Sequence, residues 1–283
     1  MIEKLKQIYR NKIIENVKEY NYEKYYYFYL TNQTDIFGIE KTITLNEYEL
    51  IKTNYIEKKI YDNNPKNQSI YEYIFDNQSY PFSSNKVKVI VIDPNKQKQI
   101  EPNTLKDILL NFYQEVKFIQ LDNLFIAFCE KSYDLEINNY ISSINFDLGI
   151  NIKLHDGIYL NNIIKGNDLL KYLNTVKQYL NNHEENYSFY LTILLDNYQK
   201  DYANFLEQTV LKVIFNDSLV KDMIITYFKN DLNVSKTAKD LYINRNSLLN
   251  KFDYIQKETG INLQKFNHAC CIYLLTISKG QTN

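Results

Sequence analysis

Between Asn233 and Gly260 the chain reads NVSKTAKDLYINRNSLLNKFDYIQKETG, and this stretch constrains the fold more than any other. Asn233 offers a side-chain carbonyl as an N-cap, and a short helix over about Ser235 to Leu241 follows, with small Ala238 on its inner face. Asn244 is a second cap candidate, and a longer helix starts at Arg245. Leu248, Phe252 and Ile255 fall at i, i+4 and i+7, so they share one apolar stripe. Gly260 stands where a left-handed residue closes a helix, and Ile261 follows as its apolar partner. Two helices joined by a turn of about three or four residues, the second longer, make a helix-turn-helix, the geometry that lays a recognition helix in the major groove of DNA.

The outer face of the second helix carries chemistry suited to that use. An Arg such as Arg245 can pair bidentately with guanine, an Asn such as Asn246 with adenine, and Ser247 can meet a base or a phosphate; Asn250 lies one turn further on. These four are the candidate base readers, while Ser235, Lys236 and Lys251 are candidates for phosphate contacts. Asn244, at the head of the helix, completes the nominated set. A surface helical hairpin with solvated polar residues would share the same local pattern.

Ser235, Thr237, Ala238, Leu241, Ile243, Arg245, Asn246, Leu248, Ile255, Thr259, Gly260 and Leu263 form one long, gapless motif. Through them residues 219–275 resemble the C-terminal helix-turn-helix of the PucR/CdaR-type transcription regulators. The departures are Asn244 for the family His, Ser247 for Thr, Asn250 for Tyr, Lys251 for Arg and Phe252 for Leu. Leu249 and Tyr254 stand where many members carry Arg, which removes positive charge. The resemblance implies sequence-specific binding of double-stranded DNA in transcription control. It also implies a middle domain similar to a degenerate diguanylate-cyclase (GGDEF-like) fold.

Charge is distributed in the same sense. The 283 residues carry a net charge of −1, but residues 219–283 hold nine Lys/Arg and five Asp/Glu, leaving +4 there and −5 on the rest. A basic end on an acidic body suits a DNA-binding domain joined to a regulatory part. The amino end, MIEKLKQIYRNK, is charged and amphipathic and does not read as a signal peptide. No apolar run reaches the roughly 18 residues of a membrane span, so the expectation is a cytoplasmic protein. Cys129, Cys270 and Cys271 are expected as thiols, and His155, His183 and His268 have no zinc-ligand spacing.

The whole chain reads as α+β in three parts. Residues 1–83 form a small α/β module: a helical stripe over 2–20, a strand pair at 25–31 and 36–44, and a capping-box helix from Thr44 to about Glu57. Residues 62–85 read partly as connection, with 70–75 ordered. Residues 84–195 follow the order β-α-β-β-α-β-α of a ferredoxin-like sheet. Its strands are 86–93, 116–121, 124–130 and one or two over 150–160; its helices are 104–113, 136–144 and 167–180. Residues 196–283 hold linking helices, with Asp217 as a cap, and then the helix-turn-helix.

Catalysis has little support. A nucleotide cyclase needs glycines and carboxylates at the hairpin turn, and the turn here is Gln120-Leu-Asp-Asn-Leu124. Phosphate-loop, G-x-S-x-G and H-E-x-x-H motifs are absent, and His155-Asp156-Gly157 reads better as a strand-end turn than as an acid/base pair. The expectation is therefore a non-enzymatic regulator with no cofactor, whose middle domain senses an unknown small-molecule effector or mediates dimerisation. One helix-turn-helix reads few base pairs, so a homodimer is expected, formed through the middle domain or the helices from Asp201 to Phe228. Two alternatives remain at this level: an adaptor that has lost DNA affinity, favoured by Leu249 and the modest charge, and a nucleotide-processing enzyme.

Overall fold

The computed structural model describes residues 2–15, 17, 21, 23–30, 35–55, 57–58, 64–95, 101–132, 137–197 and 200–280. The chain divides into two compact units, residues 1–72 and 73–283.

The first unit begins with helix α1 (Ile2–Tyr9), followed by strands β1 (Ile13–Ile14), β2 (Tyr25–Tyr29) and β3 (Ile36–Glu40). Helix α2 (Leu45–Asn54), strand β4 (Glu57–Lys58) and helix α3 (Pro65–Asp76) follow, and the boundary between the units falls within α3. The four strands form an antiparallel sheet in the order β1-β3-β2-β4. The helical stripe expected over 2–20 stops at Tyr9, because Ile13 and Ile14 pair with Ile39 and Gly38 of β3. Isoleucines at that spacing suit a strand as well as a helix, and the pairing decides. The capping box at Thr44 is present: Thr44 Oγ1 accepts from the Glu47 amide, and the Glu47 carboxylate accepts from the Thr44 amide. Its helix ends at Asn54, short of Glu57, which enters β4. Tyr9, Phe28, Phe37, Ile39, Ile51 and Tyr55 are the core, with the Phe28 and Phe37 rings stacked. Half of the 62–85 stretch, Pro65–Asp76, is helix α3, which extends the ordered 70–75 segment and is started by Pro65 at its first position, where a missing amide costs nothing.

After the end of α3, the second unit continues with strand β5 (Lys86–Asp93) and helix α4 (Pro102–Leu110), then strands β6 (Tyr113–Leu121) and β7 (Leu124–Ser132). Helix α5 (Asn138–Leu148), strand β8 (Lys153–Asn161), helix α6 (Gly166–Asn182) and strand β9 (Tyr187–Phe189) follow. The strand order is β6-β7-β5-β8-β9. Each of the first four strands in that order is antiparallel to its neighbour, which is the ferredoxin-like arrangement, and β9 adds parallel to β8. Asp122 and Asn123 make the β6–β7 turn, with Asp122 at φ 53°, a left-handed conformation that a short polar side chain tolerates. Leu105 and Leu109 of α4, Ile137 at the start of α5 and Ile141 within it pack against Ile90, Ile92 and Leu154 on one face. By strand alternation His155 points to the other face, where it meets Tyr172 of α6.

The remaining helices belong to the same unit. They are α7 (Thr192–Asn197), α8 (Lys200–Thr209), α9 (Lys212–Phe215), α10 (Ser218–Lys229), α11 (Val234–Asp240), α12 (Arg245–Thr259) and α13 (Phe266–Gly280). The α+β class expected from the sequence is what the fold shows.

Candidate nucleic-acid interface

Helices α11 and α12 are specified by their ends. Asn233 is the N-cap of α11, its side-chain oxygen accepting from the Lys236 amide at 3.0 Å. Asn244 caps α12 in the same way, accepting from the Asn246 amide at 2.8 Å. The turn between them, Leu241 to Asn244, closes when Tyr242 takes φ 56° and the Ile243 amide donates back to the Ala238 carbonyl at 3.0 Å. Gly260 ends α12 at φ 77°, and Ile261 behind it is fully buried.

The inner faces meet as the periodicity requires. Thr237 and Ala238 of α11 and Leu248, Phe252, Ile255 and Thr259 of α12 are buried. Phe252 packs its ring against Tyr227 of α10, with centroids 4.8 Å apart. Asn230, at the end of α10, donates to the Asp240 carboxylate at 2.8 Å and ties α10 to the end of α11. The unit is thus a three-helix body in which α12 projects one face outward.

All eight nominated residues lie on the exterior. Ser235 and Lys236 are exposed on the first turn of α11; Asn244, Arg245, Asn246 and Ser247 are exposed at the head of α12, and Asn250 and Lys251 are exposed one turn on. Among the described residues no ion pair engages Lys236, Arg245 or Lys251. The Asn244 oxygen accepts the cap bond, while its side-chain NH2 takes no part in the cap. Tyr242, 96 % exposed, stands beside them in the turn. Leu249 is half-buried, so it does not present a full apolar side chain to the outside.

The other end of α12 is held by the sheet, a feature with no local sequence signal. Lys86 of β5 donates to the Lys257 carbonyl at 2.6 Å and reaches the Glu258 carboxylate at 3.4 Å. Tyr190, just past β9, donates its hydroxyl to the Thr259 carbonyl at 2.8 Å. A Cβ on Gly260 would lie 3.3 Å from the Tyr159 ring and 3.4 Å from Lys88 Nζ. His268 of α13 stacks on Phe189, with centroids 4.2 Å apart. Cationic and hydroxyl donors thus satisfy the last carbonyls of the helix, where its dipole favours them.

The His155-Asp156-Gly157 segment is no strand-end turn: it lies inside β8. Gly157 sits in the register shift between the Lys88–Tyr159 and Ile90–Asp156 pairs. His155 and Asp156 point to opposite faces, so they do not form an acid/base pair. His155 is completely buried between Ser188 Oγ at 2.8 Å and Tyr172 Oη at 3.0 Å. Burial pushes its pKa down to about 3, helped by the Lys88 ammonium. Asp156 pairs with Lys88 at 2.7 Å and accepts from Tyr187 Oη at 3.0 Å. At the hairpin turn the Asp122 carboxylate pairs with Lys177. Among the described residues there is no cluster of three or more His, Cys, Asp or Glu that could hold a metal. Cys129 and Cys271 are buried and Cys270 is half-buried; all three are free thiols, and burial pushes Cys271 up to about 12. Among the described residues no helix is long and apolar enough to cross a membrane.

Residues 221–276 match the family model of the PucR C-terminal helix-turn-helix domain. No curated protein matches the chain. A solved structure similar to it is the regulator of polyketide synthase expression from Bifidobacterium adolescentis. The two share 11% identity with a TM-score of 0.36, over 77% of this chain and 92% of that one. Helices α10 to α13 are thus a PucR-type helix-turn-helix, a domain of transcription regulators.

Proposed function

We propose that this chain, with a PucR-type helix-turn-helix at its carboxyl end, is a sequence-specific DNA-binding regulator of transcription that acts as a homodimer and has no catalytic activity. The observation that supports this most is the head of α12. There, Asn244 to Ser247 form an exposed polar turn, rich in hydrogen-bonding groups, on a helix fixed by its buried stripe and by both ends. Arg245, Asn246, Ser247 and Asn250 read base edges; Ser235, Lys236 and Lys251 hold phosphates. Asn244 orients the helix head and offers its remaining amide.

Residues 1–83, 84–195 and 196–283 serve as three functional parts in this reading. The middle part, similar in layout to a degenerate GGDEF-like domain, receives a small effector or supports dimerisation, and the protein works in the cytoplasm. Capture of genomic DNA by the intact protein, followed by titration of the recovered site at increasing salt, tests the reading. A discrete site whose affinity falls steeply with salt supports it. Capture of no DNA, with the fold intact, refutes it in favour of an adaptor role.

A further inference from the structure

We infer that the groove between α6 and α8 is a binding site for a small organic cation, and that its occupancy is transmitted to the recognition helix through Tyr202 and Tyr190. The transmission half rests on the DNA-binding reading above; the binding half does not. The groove has a volume of about 620 Å³ and is lined by Asp168, Tyr172 and Asn174 of α6 and Asp201, Tyr202 and Phe205 of α8. That volume lies within the range of small-molecule sites. Tyr172 and Tyr202 stack with centroids 6.0 Å apart and planes 9° apart, and Phe205 lies 6.3 Å from Tyr172. Aromatic walls bearing two carboxylates attract a cation and repel an anion. The one cationic lining residue, Lys171, is held 3.8 Å from Asp168. The matching ligand is a protonated amine on an apolar body, with Asn174 placed to hydrogen-bond a polar substituent.

The wall of this groove is bonded to the end of α12. Tyr202 Oη donates to the Tyr190 carbonyl at 3.0 Å, and Tyr190 Oη donates to the Thr259 carbonyl at 2.8 Å. The Tyr190 amide in turn donates to the Asp156 carbonyl at 3.0 Å. Tyr190 and Tyr202 are buried, so neither bond can be exchanged for one to water without cost. A ligand that prefers one setting of Tyr202 therefore prefers one setting of the helix end, and by linkage it changes operator affinity.

The test uses the full chain with 2-phenylethylamine and its neutral N-acetyl derivative as probes. Calorimetry should show saturable binding of the amine, with binding weakened about tenfold or more by the acetyl cap or by Asp168→Asn with Asp201→Asn. The amine should also shift operator affinity and alter hydrogen exchange of the amides at 255–261. Tyr190→Phe, outside the groove, should keep amine binding and lose both responses. Absence of saturable binding, or binding indifferent to the acetyl cap and to the double substitution, overturns the site. Amine binding with unchanged exchange at 255–261 in the native chain overturns the relay. If the native chain binds no operator, the regulatory reading fails while calorimetry and exchange still decide this one.

Discussion

Two side chains show how differently single residues serve this molecule. Arg245 is exposed, and its substitution touches no core, so Arg245→Ala should cost about 1–3 kcal/mol of specific DNA affinity with helix content unchanged. Titration of the operator alongside circular dichroism checks this; specific binding at native strength removes Arg245 from the readout. His155 is the opposite case, fully buried and held neutral down to about pH 3, whereas in the unfolded chain it takes a proton near pH 6.5. Below that pH the unfolded state binds a proton that the folded state refuses. Its contribution to stability is therefore complete above about pH 6.5 and shrinks toward pH 3, by up to about 1.4 kcal/mol per pH unit. Urea melts at pH 7 and pH 5 of the native chain and of His155→Gln should show a smaller pH-dependent loss in the variant. An equal loss in both would clear His155 of the effect.

Helix α12 works as an element because its two ends are fixed by different parts of the chain. Its head is capped from within, by Asn244, whereas its tail is held by Lys86 of β5 and by Tyr190, just past β9. Its middle depends on the buried stripe. Phe252→Ala should destabilise the protein by about 3–5 kcal/mol, as a large-to-small change against Tyr227. A melting temperature equal to that of the native chain would show the stripe to be misassigned. Gly260→Ala adds a methyl at φ 77°, a conformation costing about 1–2 kcal/mol for an L residue, and sets it against the Tyr159 ring. The expected outcome is a lower melting temperature together with weaker operator binding, because the substitution loosens the tail of α12 without touching its outward face. Unchanged operator affinity in a destabilised Gly260→Ala protein would show that the tail contact has no part in reading DNA.

For the whole molecule the governing quantity is the number of recognition helices on one operator. A single α12 reaches only a few base pairs, so we expect a homodimer whose recognition helices meet half-sites roughly 34 Å apart. Light scattering of the full chain should give twice the monomer mass, and the log–log salt slope should reflect phosphates contacted by both copies. A monomer at micromolar concentration that binds one half-site tightly would refute the dimer.

The boundaries written in adjacent residues are legible in the sequence alone. The caps at Asn233, Asn244 and Thr44, the left-handed close at Gly260, the Asp122 turn and the apolar stripe of α12 each involve partners only a few positions apart, so spacing alone specifies them. The ferredoxin-like order was legible for the same reason, since each strand and helix has its own period. The outward placement of Arg245, Asn246, Ser247, Asn250 and Lys251 follows because burying Leu248, Phe252 and Ile255 leaves them no other side of α12. Local period does not name a partner, so other features required the folded chain. Ile13 and Ile14 become a strand because β3 is beside them, and β9 is three residues long, too short for any period to show. His155 becomes a buried neutral group because Tyr172 and Ser188 arrive from 17 and 33 residues away. Lys86 lies 171 residues from the carbonyl it caps, and Tyr190 lies 69 from its own. At such separations a contact is selected by how the sheet and helices pack around a shared core, and that choice belongs to the tertiary fold.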